Sequence, residues 1–368
     1  MTDLDAILSE YNVDTPLAEA STLPAPWYTD KRVAELERRA VFGNSWQLVG
    51  RVDQLREVGA FITAVVANEP IVVVRGPDMT LRAFFNVCRH HAAAVVTECA
   101  GRADRLRCPY HGWTYGLDGA LKSPTEWGGV ENFDPADNGL VPLSVATWEH
   151  MVFVHLDPHP PAIEDWLGAH FMDAVAQLNL GDLTWVARRE WTIQCNWKVF
   201  VDNYLDGGYH VPFLHRGLNS ILSYKDYTID CFDRVCLQQS PIDTSVGEAM
   251  TASVRHGHAY YWWLYPNLML NWYEGYLDTN LVIPLGVDRM KVIFDFWFAD
   301  PAQVERNEAS IAVSDRIQDE DHAICEAVQR GLGSRAYRAG RLSVRREAGE
   351  HLFHRLLAAD VRGAARRG

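Results

Sequence analysis

The sequence contains no run of about 18 consecutive apolar residues, the length at which a helix can begin to span a bilayer. Its first residues, Met1-Thr-Asp-Leu-Asp5, are acidic, whereas a secretory signal begins with a basic region. We therefore expect neither a membrane-spanning segment nor a secretory signal.

Basic residues are also scarce. Lys and Arg number 34 against 48 Asp and Glu, which gives a formal net charge of −14. Nucleic-acid binding needs a basic surface that neutralises phosphates, so we expect no nucleic-acid partner. An acidic protein is compatible with a cationic substrate or a basic redox partner.

The cysteines do not form the pattern of a disulfide-stabilised secreted protein. They number seven, which is odd, and they are scattered between positions 88 and 325. Disulfide frameworks belong to oxidising compartments and small domains. The sequence therefore predicts a cytoplasmic protein.

The chain of 368 residues is long enough for two domains with separate cores. The pattern predicts an N-terminal arm over residues 1–45, a small antiparallel β domain over 46–158, and a proline-rich linker at 158–162. A second domain over 163–368, to which the arm attaches, combines predicted strands with an amphipathic helix over 304–329. We expect an α+β fold.

Two motifs on adjacent predicted loops of the β domain pair a cysteine with a histidine. They are Cys88-Arg-His90 and Cys108-Pro-Tyr-His111. Two thiolates and two imidazoles suit either a structural zinc ion or a Rieske [2Fe-2S] centre, in which two histidines replace two cysteines on one iron. The aromatic run Gly112-Trp-Thr-Tyr115 favours the Rieske centre, because it walls the second loop with rings.

The segments Asn86-Val-Cys-Arg-His90 and Cys108-Pro-Tyr-His-Gly-Trp113 resemble the Rieske domain of Rieske non-haem iron oxygenases, α subunit. The resemblance implies a C-terminal catalytic domain of helix-grip-like fold, with an antiparallel sheet, helices and one mononuclear Fe(II). It also implies that electrons from NAD(P)H arrive through a ferredoxin or flavin-dependent reductase, and that the chain forms a homotrimer or a multiple of trimers. The alternative from another class is a Rieske electron carrier without oxygenase activity, which predicts no second metal site.

A second candidate metal site lies in the segment 196–215, which contains His210 and His215. On an unbroken helix, side chains five residues apart point about 140° away from each other. Pro212, preceded by two glycines, is expected to break the helix, so that His210 closes it and His215 turns in afterwards. Two histidines and one carboxylate are typical ligands of an oxygen-activating non-haem iron.

The resemblance also implies which carboxylate completes this set. Asp321 is the expected ligand, because the run Asp319-Glu-Asp-His-Ala-Ile-Cys-Glu326 resembles a family segment in which an aspartate stands five residues before a glutamate. Asp319 is the second candidate and Asp315 the third. The alternative is that the run is only a solvated acidic helix face. We also expect Asn203 to approach the metal.

Asp206 stands four residues before His210, which on a helix places both side chains on one face. It could fix the tautomer of the imidazole. By resemblance, it would also bridge to His90 or His111 of a neighbouring subunit. Many relatives have this carboxylate three residues before the histidine, where this chain has Gly207, so a helical bulge would have to absorb the offset.

The aromatic stretch over residues 260–276 carries the only substrate-specific signal. Aromatic rings can surround a quaternary ammonium group, and Glu274 could add a negative charge. The expected substrate-contacting residues are Trp263, Asn271, Tyr273 and Glu274. The alternative is that most of these rings pack the sheet, because alternate residues of a strand face opposite sides.

This stretch, together with Asp202-Asn-Tyr-Leu-Asp-Gly-Gly-Tyr-His-Val-Pro-Phe213 and the segment 278–286, resembles the choline monooxygenase branch of the family. The resemblance implies a monooxygenase that uses O2 to oxidise choline, or a related quaternary amine, toward an aldehyde hydrate. The alternative is hydroxylation or demethylation of an aromatic or other small organic molecule. Mono- and dioxygenation both stay open.

Overall fold

The computed structural model describes residues 3–215, 218, 222–242 and 257–366. It divides into two compact units, of which one comprises Arg38–Trp166 and the other comprises Met1–Glu37 with Leu167–Gly368. The helices are α1 (Asp3–Ser9), α2 (Ala25–Thr29), α3 (Lys31–Ala40), α4 (Ile163–Leu167), α5 (Ala169–Val175), α6 (Trp197–Leu205), α7 (Val211–Leu214), α8 (Val304–Leu332) and α9 (Ala348–Ala365).

The unit over residues 38–166 is built from short antiparallel strands. They are β1 (Gln47–Arg51), β2 (Ala60–Val66), β3 (Glu69–Arg75), β4 (Leu81–Phe85), β5 (Ala100–Arg102), β6 (Leu106–Arg107), β7 (Thr114–Tyr115), β8 (Leu121–Ser123), β9 (Pro142–Trp148) and β10 (Met151–His155). Seven form one sheet in the order β1-β10-β9-β4-β3-β2-β5, and three form a second sheet in the order β6-β7-β8.

The hydrophobic run of β3 explains why this unit folds as a sheet. Residues 71–74 are Ile-Val-Val-Val, which favour extended backbone, and all four are fully buried. Because successive side chains point to opposite faces, Val72 and Val74 enter one apolar cluster while Ile71 and Val73 enter another. The first cluster also contains Cys88 and Cys108, so the core supports both cysteine loops.

The other unit contains a seven-stranded antiparallel sheet. Its strands are β11 (Thr184–Ile193), β12 (Thr228–Phe232), β13 (Val235–Pro241), β14 (His258–Leu264), β15 (Leu268–Tyr273), β16 (Tyr276–Pro284) and β17 (Met290–Phe298). Their order is β11-β17-β16-β15-β14-β13-β12, so neighbours in sequence pair from β12 to β17. The α+β expectation is confirmed, and α8 confirms the amphipathic helix expected over 304–329.

Helices α6 and α8 contact each other, and α6 also contacts β16 and α9. This arrangement places α6 between the sheet and the long C-terminal helices, where it can present side chains to a cavity beside the sheet. Within the described ranges, none of the helices has both the length and the apolar composition needed to cross a membrane.

Candidate metal centres and substrate cavity

The two cysteine loops of the β unit share one backbone hydrogen-bonding pattern. In the first, the amide of Ala92 donates to the carbonyl of Cys88, whose own amide donates to the carbonyl of Ala93. In the second, the amide of Gly112 donates to the carbonyl of Cys108, and the amide of Cys108 donates to the carbonyl of Trp113. Ala92 and Gly112 both have positive φ, at 60° and 75°, which closes each loop tightly.

The side chains of these loops converge on one place. The rings of His90 and His111 have centroids 4.7 Å apart, and His90 stacks on Trp113 at 4.8 Å with an interplanar angle of 6°. Both cysteines are only 3% exposed. The buried Nδ1 of His90 has no hydrogen-bond partner among the described residues, which a bound metal would remedy.

Tyr115 lies against the first cysteine. Its hydroxyl is 3.3 Å from Cys88 Sγ and accepts a hydrogen bond of 3.0 Å from the amide of Arg89. Since the amide donates to the oxygen, the hydroxyl proton is free to point at the sulfur. Hydrogen bonds to cluster sulfurs are one determinant of the reduction potential of an iron–sulfur centre.

In the second unit, α6 ends at Leu205, and Asp206 is its C-terminal cap. The expectation that the helix continues to His210 is therefore wrong. Gly207 and Gly208 follow with φ of +68° each, a conformation that leaves the right-handed helix. A side chain at Gly207 would overlap the carbonyl oxygen of Arg346, so glycine is required there.

His210 and His215 flank the short helix α7, one at each end. Their rings are nearly perpendicular, with centroids 4.8 Å apart. Pro212 occupies the first turn of α7, where its missing amide proton costs no hydrogen bond. The prediction that a break would bring the two histidines together is confirmed, but the break is made by the glycines.

Asp206 contacts His210 in the way expected, although not through a regular helix. Its Oδ2 accepts a hydrogen bond from the His210 amide at 3.0 Å and lies 2.6 Å from the ring Nδ1. Its Oδ1 accepts a hydrogen bond from the amide of Tyr209. The two glycines thus allow this contact over a spacing of four residues without a helical turn. A carboxylate in this position favours the tautomer with the proton on Nδ1, which leaves the lone pair of Nε2 for a metal.

Asp321 on α8 completes a group that could hold a metal ion. One oxygen or nitrogen atom from each of His210, His215 and Asp321 lies within 4.8 Å of the others. His215 Nε2 is 3.1 Å from Asp321 Oδ1, and His210 Nε2 is 4.0 Å from the same oxygen. Asn203 also lies at this site, where its Nδ2 donates a hydrogen bond of 2.8 Å to Asp321 Oδ1.

The other candidate carboxylates stand apart from the two histidines. Asp319 is exposed to solvent. Asp315 is 3.5 Å from the guanidinium of Arg189, and burial raises the pKa of its carboxyl. Of the three candidate ligands, Asp321 is therefore the one that lies beside the Nε2 atoms of the two histidines.

Glu320 is a site residue that the sequence analysis missed. Its Oε2 lies 2.6 Å from Nδ1 of His215, as Asp206 lies from Nδ1 of His210. Burial alone would lower the pKa of His215, but the hydrogen bonds and charges of Asp321 and Glu320 outweigh it and raise that pKa. In the sequence, the feature that could have indicated Glu320 is its position next to the expected ligand Asp321.

A cavity of about 140 Å³ lies beside the His210, His215 and Asp321 group. This volume is about ten times the ~10–15 Å³ that one water needs, so the cavity has room for a small organic molecule. Five tyrosines line it: Tyr204, Tyr227, Tyr261, Tyr273 and Tyr276. Asn271 also lines it, so two of the four residues expected to contact the substrate, Asn271 and Tyr273, line this cavity.

The other two expected contacts are corrected by the structure. Trp263 lies on the same strand as Tyr261 but two residues farther along, where Phe353 of α9 covers it at a centroid distance of 5.5 Å. It is fully buried and packs the core. Glu274 lies in the turn between β15 and β16 and is exposed. Neither residue lines the cavity.

Asp278 is a second acidic residue that lines the cavity, besides Asp321, and it was not among the expected site residues. It is opposite Asn271 in the register of β15 and β16 and is 3% exposed. Asn271 and Asn280 donate to its Oδ1 at 2.7 and 2.8 Å, and the hydroxyl of Tyr276 donates to its Oδ2 at 2.9 Å. Burial raises the pKa of Asp278 to about 6 against these hydrogen bonds, so the carboxylate is charged at neutral pH.

Known protein families match both parts of the chain. Residues 45–134 match the Rieske [2Fe-2S] domain, and residues 180–363 match the catalytic domain of the ring hydroxylating alpha subunit. The fold and the two histidine-containing sites therefore define an oxidoreductase with a Rieske centre and a mononuclear iron site. The chain belongs to the family of Rieske non-haem iron oxygenases. The alternative of an electron carrier without a catalytic domain is wrong.

Individual relatives agree with the choline monooxygenase branch. The chain is 40% identical to the chloroplastic choline monooxygenase of Arabidopsis thaliana, over 97% of this chain and 87% of the relative. It is 32% identical to the carnitine monooxygenase oxygenase subunit of Escherichia coli (strain K12), over 96% and 97% of the two chains.

Solved structures give the same result for the fold. A quaternary ammonium Rieske monooxygenase in complex with an inhibitor matches with a TM-score of 0.84 at 30% identity, covering 97% of this chain and 98% of that chain. Naphthalene 1,2-dioxygenase from Rhodococcus sp. matches with a TM-score of 0.81 at 21% identity, covering 98% of each chain, which shows a shared fold.

The donor atoms fit the two metal groups of the family. Two buried thiols and two imidazoles, one with an unpartnered buried nitrogen, are the donor set of a Rieske cluster. Two imidazoles with both Nδ1 atoms held by carboxylates, and one further carboxylate, are the donor set of a non-haem iron with open positions.

Proposed function

We propose that this chain is the oxygenase component of a monooxygenase that hydroxylates choline or a closely related quaternary ammonium alcohol. The observation that carries the proposal is the cavity beside His210, His215 and Asp321, which combines five tyrosine rings with the buried carboxylate of Asp278. A quaternary ammonium group donates no conventional hydrogen bond, so it is recognised by aromatic faces and by negative charge. The relatives named choline and carnitine monooxygenase support this substrate class.

The assignment of ligands is part of the proposal. Cys88, His90, Cys108 and His111 would hold the Rieske cluster, and His210, His215 and Asp321 would hold the mononuclear iron. When bound, the cluster stores and transfers electrons and the iron activates dioxygen next to the substrate.

The surrounding side chains orient these ligands. Asp206 and Glu320 each hold the Nδ1 of one histidine at 2.6 Å, which leaves both Nε2 atoms available to the metal. Asn203 donates to Asp321 Oδ1 and thereby fixes the direction of the carboxylate. We therefore assign Asp206, Glu320 and Asn203 as positioning residues.

The charges of the cavity favour an alcohol over an amino acid derivative. Among its described lining residues there is no Lys or Arg that would pair with a substrate carboxylate. Asp278 would attract the ammonium end of a substrate and repel a carboxylate placed near it. We therefore favour choline over carnitine as the substrate.

The electron supply follows the arrangement usual in this family, in which a ferredoxin or flavin-dependent reductase passes on electrons from NAD(P)H. We propose a homotrimer, or a multiple of trimers, in the cytoplasm. Within it, Asp206 would accept a hydrogen bond from His90 or His111 of a neighbouring copy. Oδ1 of Asp206 accepts one described hydrogen bond, from Tyr209, so it retains a lone pair for such a donor.

The test is turnover of the purified chain with a reductase and NADH. Oxygen uptake coupled to product formation should be highest with choline, lower with carnitine and near background with aromatic acids. His215→Ala should abolish product formation while retaining the visible and EPR spectra of the Rieske cluster. Efficient coupled turnover of an aromatic acid, with choline inert, would contradict the proposed substrate.

A matched pair of variants separates substrate recognition from general damage. Asp278→Asn keeps the size of the side chain and should raise KM for choline at least tenfold with a smaller change in kcat. Glu274→Gln removes an exposed carboxylate of the neighbouring turn and should leave both constants unchanged. Equal effects in the two variants would mean that the buried carboxylate does not recognise the cation.

A further inference from the structure

Two cysteines face each other across the hairpin formed by β12 and β13. Cys231 and Cys236 are directly opposite in the strand register, and their sulfur atoms lie 3.8 Å apart. Two residues, 233 and 234, connect the strands. In such a hairpin the pair next to the turn exchanges hydrogen bonds, so the cysteines occupy the closer, non-hydrogen-bonded pair. Its typical Cα separation of ~4.5 Å lies within the ~4.4–6.8 Å range of disulfides.

The two thiols have different environments. Cys231 is exposed, whereas Cys236 is fully buried. The hydrogen bond between them lowers the pKa of the Cys231 thiol, and the same contact together with burial holds the pKa of Cys236 well above its usual range. Cys231 is therefore the thiol that ionises first and that a soluble oxidant can reach.

The surroundings of Cys231 are partly basic. Cys231 borders a surface cavity that is also lined by His170, His351 and Arg355. Among these side chains Arg355 carries a fixed positive charge, and positive charge near a thiol favours its thiolate. Asp233 lines the same cavity, and burial and the charge of Asp230 act to raise the pKa of the Cys231 thiol, so the hydrogen bond with Cys236 is what lowers that pKa.

The sulfur of Cys236 packs closely against Gly349, where a larger residue would not fit. A Cβ added at Gly349 of α9 would lie 2.8 Å from Cys236 Sγ and 3.1 Å from Leu205 Cδ2. The sulfur of Cys236 is therefore enclosed on the helix side, while the side toward Cys231 is open to approach. Forming a bond of ~2.05 Å requires the two sulfurs to close by about 1.8 Å, which rotation of the exposed Cys231 side chain can supply.

We propose that Cys231 and Cys236 form a reversible disulfide when the protein encounters hydrogen peroxide. The Cys231 thiolate attacks one peroxide oxygen, so that an S–O bond forms as the O–O bond breaks, giving a sulfenic acid and hydroxide. The Cys236 thiol then attacks this sulfur, and the S–S bond forms as the hydroxyl leaves as water with the Cys236 proton. In total, two thiols and one peroxide become one disulfide and two waters.

The sequence makes this bond easy to detect. Trypsin cleaves after Lys225, Arg234 and Arg255, so each cysteine falls in its own peptide, residues 226–234 and 235–255. The purified holoprotein is treated with peroxide, blocked with iodoacetamide and digested. We expect the two peptides joined with the loss of two hydrogens, and their separation after treatment with dithiothreitol.

Three variants test the assigned roles. Cys236→Ser should stop the reaction at the sulfenic acid of Cys231, which dimedone labels, and Cys231→Ser should give neither label nor link. Cys99→Ser, which removes another exposed cysteine, should form the link as the unmodified protein does. The near-ultraviolet circular dichroism of each variant checks that it is folded.

The proposal is overturned if Cys231 oxidises to a sulfinic or sulfonic acid without forming the linked peptide. It is equally overturned if Cys231 is joined to Cys99 instead, or if dimedone does not label Cys231 in the Cys236→Ser variant. These outcomes are read from peptide masses and do not depend on turnover.

Discussion

Glu320 tests whether the carboxylates behind the two histidines set the affinity for iron. Replacing it by Ala removes the acceptor 2.6 Å from Nδ1 of His215 and leaves the three proposed ligands in place. Partners of this kind typically contribute 10–100-fold to metal affinity. Because the Glu320 side chain is 47% exposed, water can partly replace it, so we expect a loss of about tenfold, or ~1.4 kcal/mol.

The measurement is the dissociation constant for Fe(II), obtained anaerobically by competition with a coloured chelator on protein that retains its Rieske cluster. Glu320→Gln keeps an acceptor for the Nδ1 proton without the charge and should fall between Glu320→Ala and the unmodified protein. Asp319→Ala removes the neighbouring exposed carboxylate of α8 and should bind iron normally. If Glu320→Ala binds iron as tightly as Asp319→Ala, the positioning role is refuted.

Three further predictions follow from the same unit. Gly208→Ala should lower the free energy of unfolding by about 1–3 kcal/mol, because residue 208 has a positive φ. Gly207→Ala should lower it further, because the added Cβ would also overlap the Arg346 carbonyl oxygen. Urea denaturation measures the free energy of unfolding of both variants. Lys198→Met should lower the free energy of unfolding by about 3–5 kcal/mol, because it leaves the buried carboxylate of Glu37 without its ion-pair partner. The double variant Lys198→Met, Glu37→Gln should recover part of this stability, because it removes the unpaired charge. Choline affinity should fall as pH drops through about 6, where Asp278 becomes protonated, whereas an uncharged carbon isostere of choline should bind equally at both pH values.

The strands and the long helix of the catalytic unit could be predicted because their signals are local. Alternation of apolar residues marked β15 and β17, and the apolar periodicity over 304–329 marked α8. The end of α6 was missed because Pro212 was taken as the break and the helix was expected to continue to His210, whereas it ends at Leu205. The two glycines there adopt positive φ, and that conformation overrides the pattern.

The substrate cavity could be predicted only in part, because it depends on contacts between distant segments. Tyr261 and Trp263 have the same orientation on β14, and nothing in their spacing tells which one α9 covers. Asp278 enters the cavity through its register opposite Asn271, which a single strand does not reveal. Strand register and the position of α9 therefore decide which residues line the cavity and which pack the core, and neither can be derived from the spacing within one strand.

Asp206 reaches the imidazole of His210 without a regular helix between them. A regular helix would present residues 206 and 210 on one face, yet the chain leaves the helix at residue 206 and returns through two left-handed glycines. This path turns the amides of Tyr209 and His210 toward the carboxylate and brings the imidazole to the same oxygen as the His210 amide. These three contacts fix the orientation of the carboxylate through the backbone as well as through the imidazole. The path through the two glycines therefore forms the carboxylate–imidazole pair without a regular helix, and this pair is what a proton-holding partner of His210 requires.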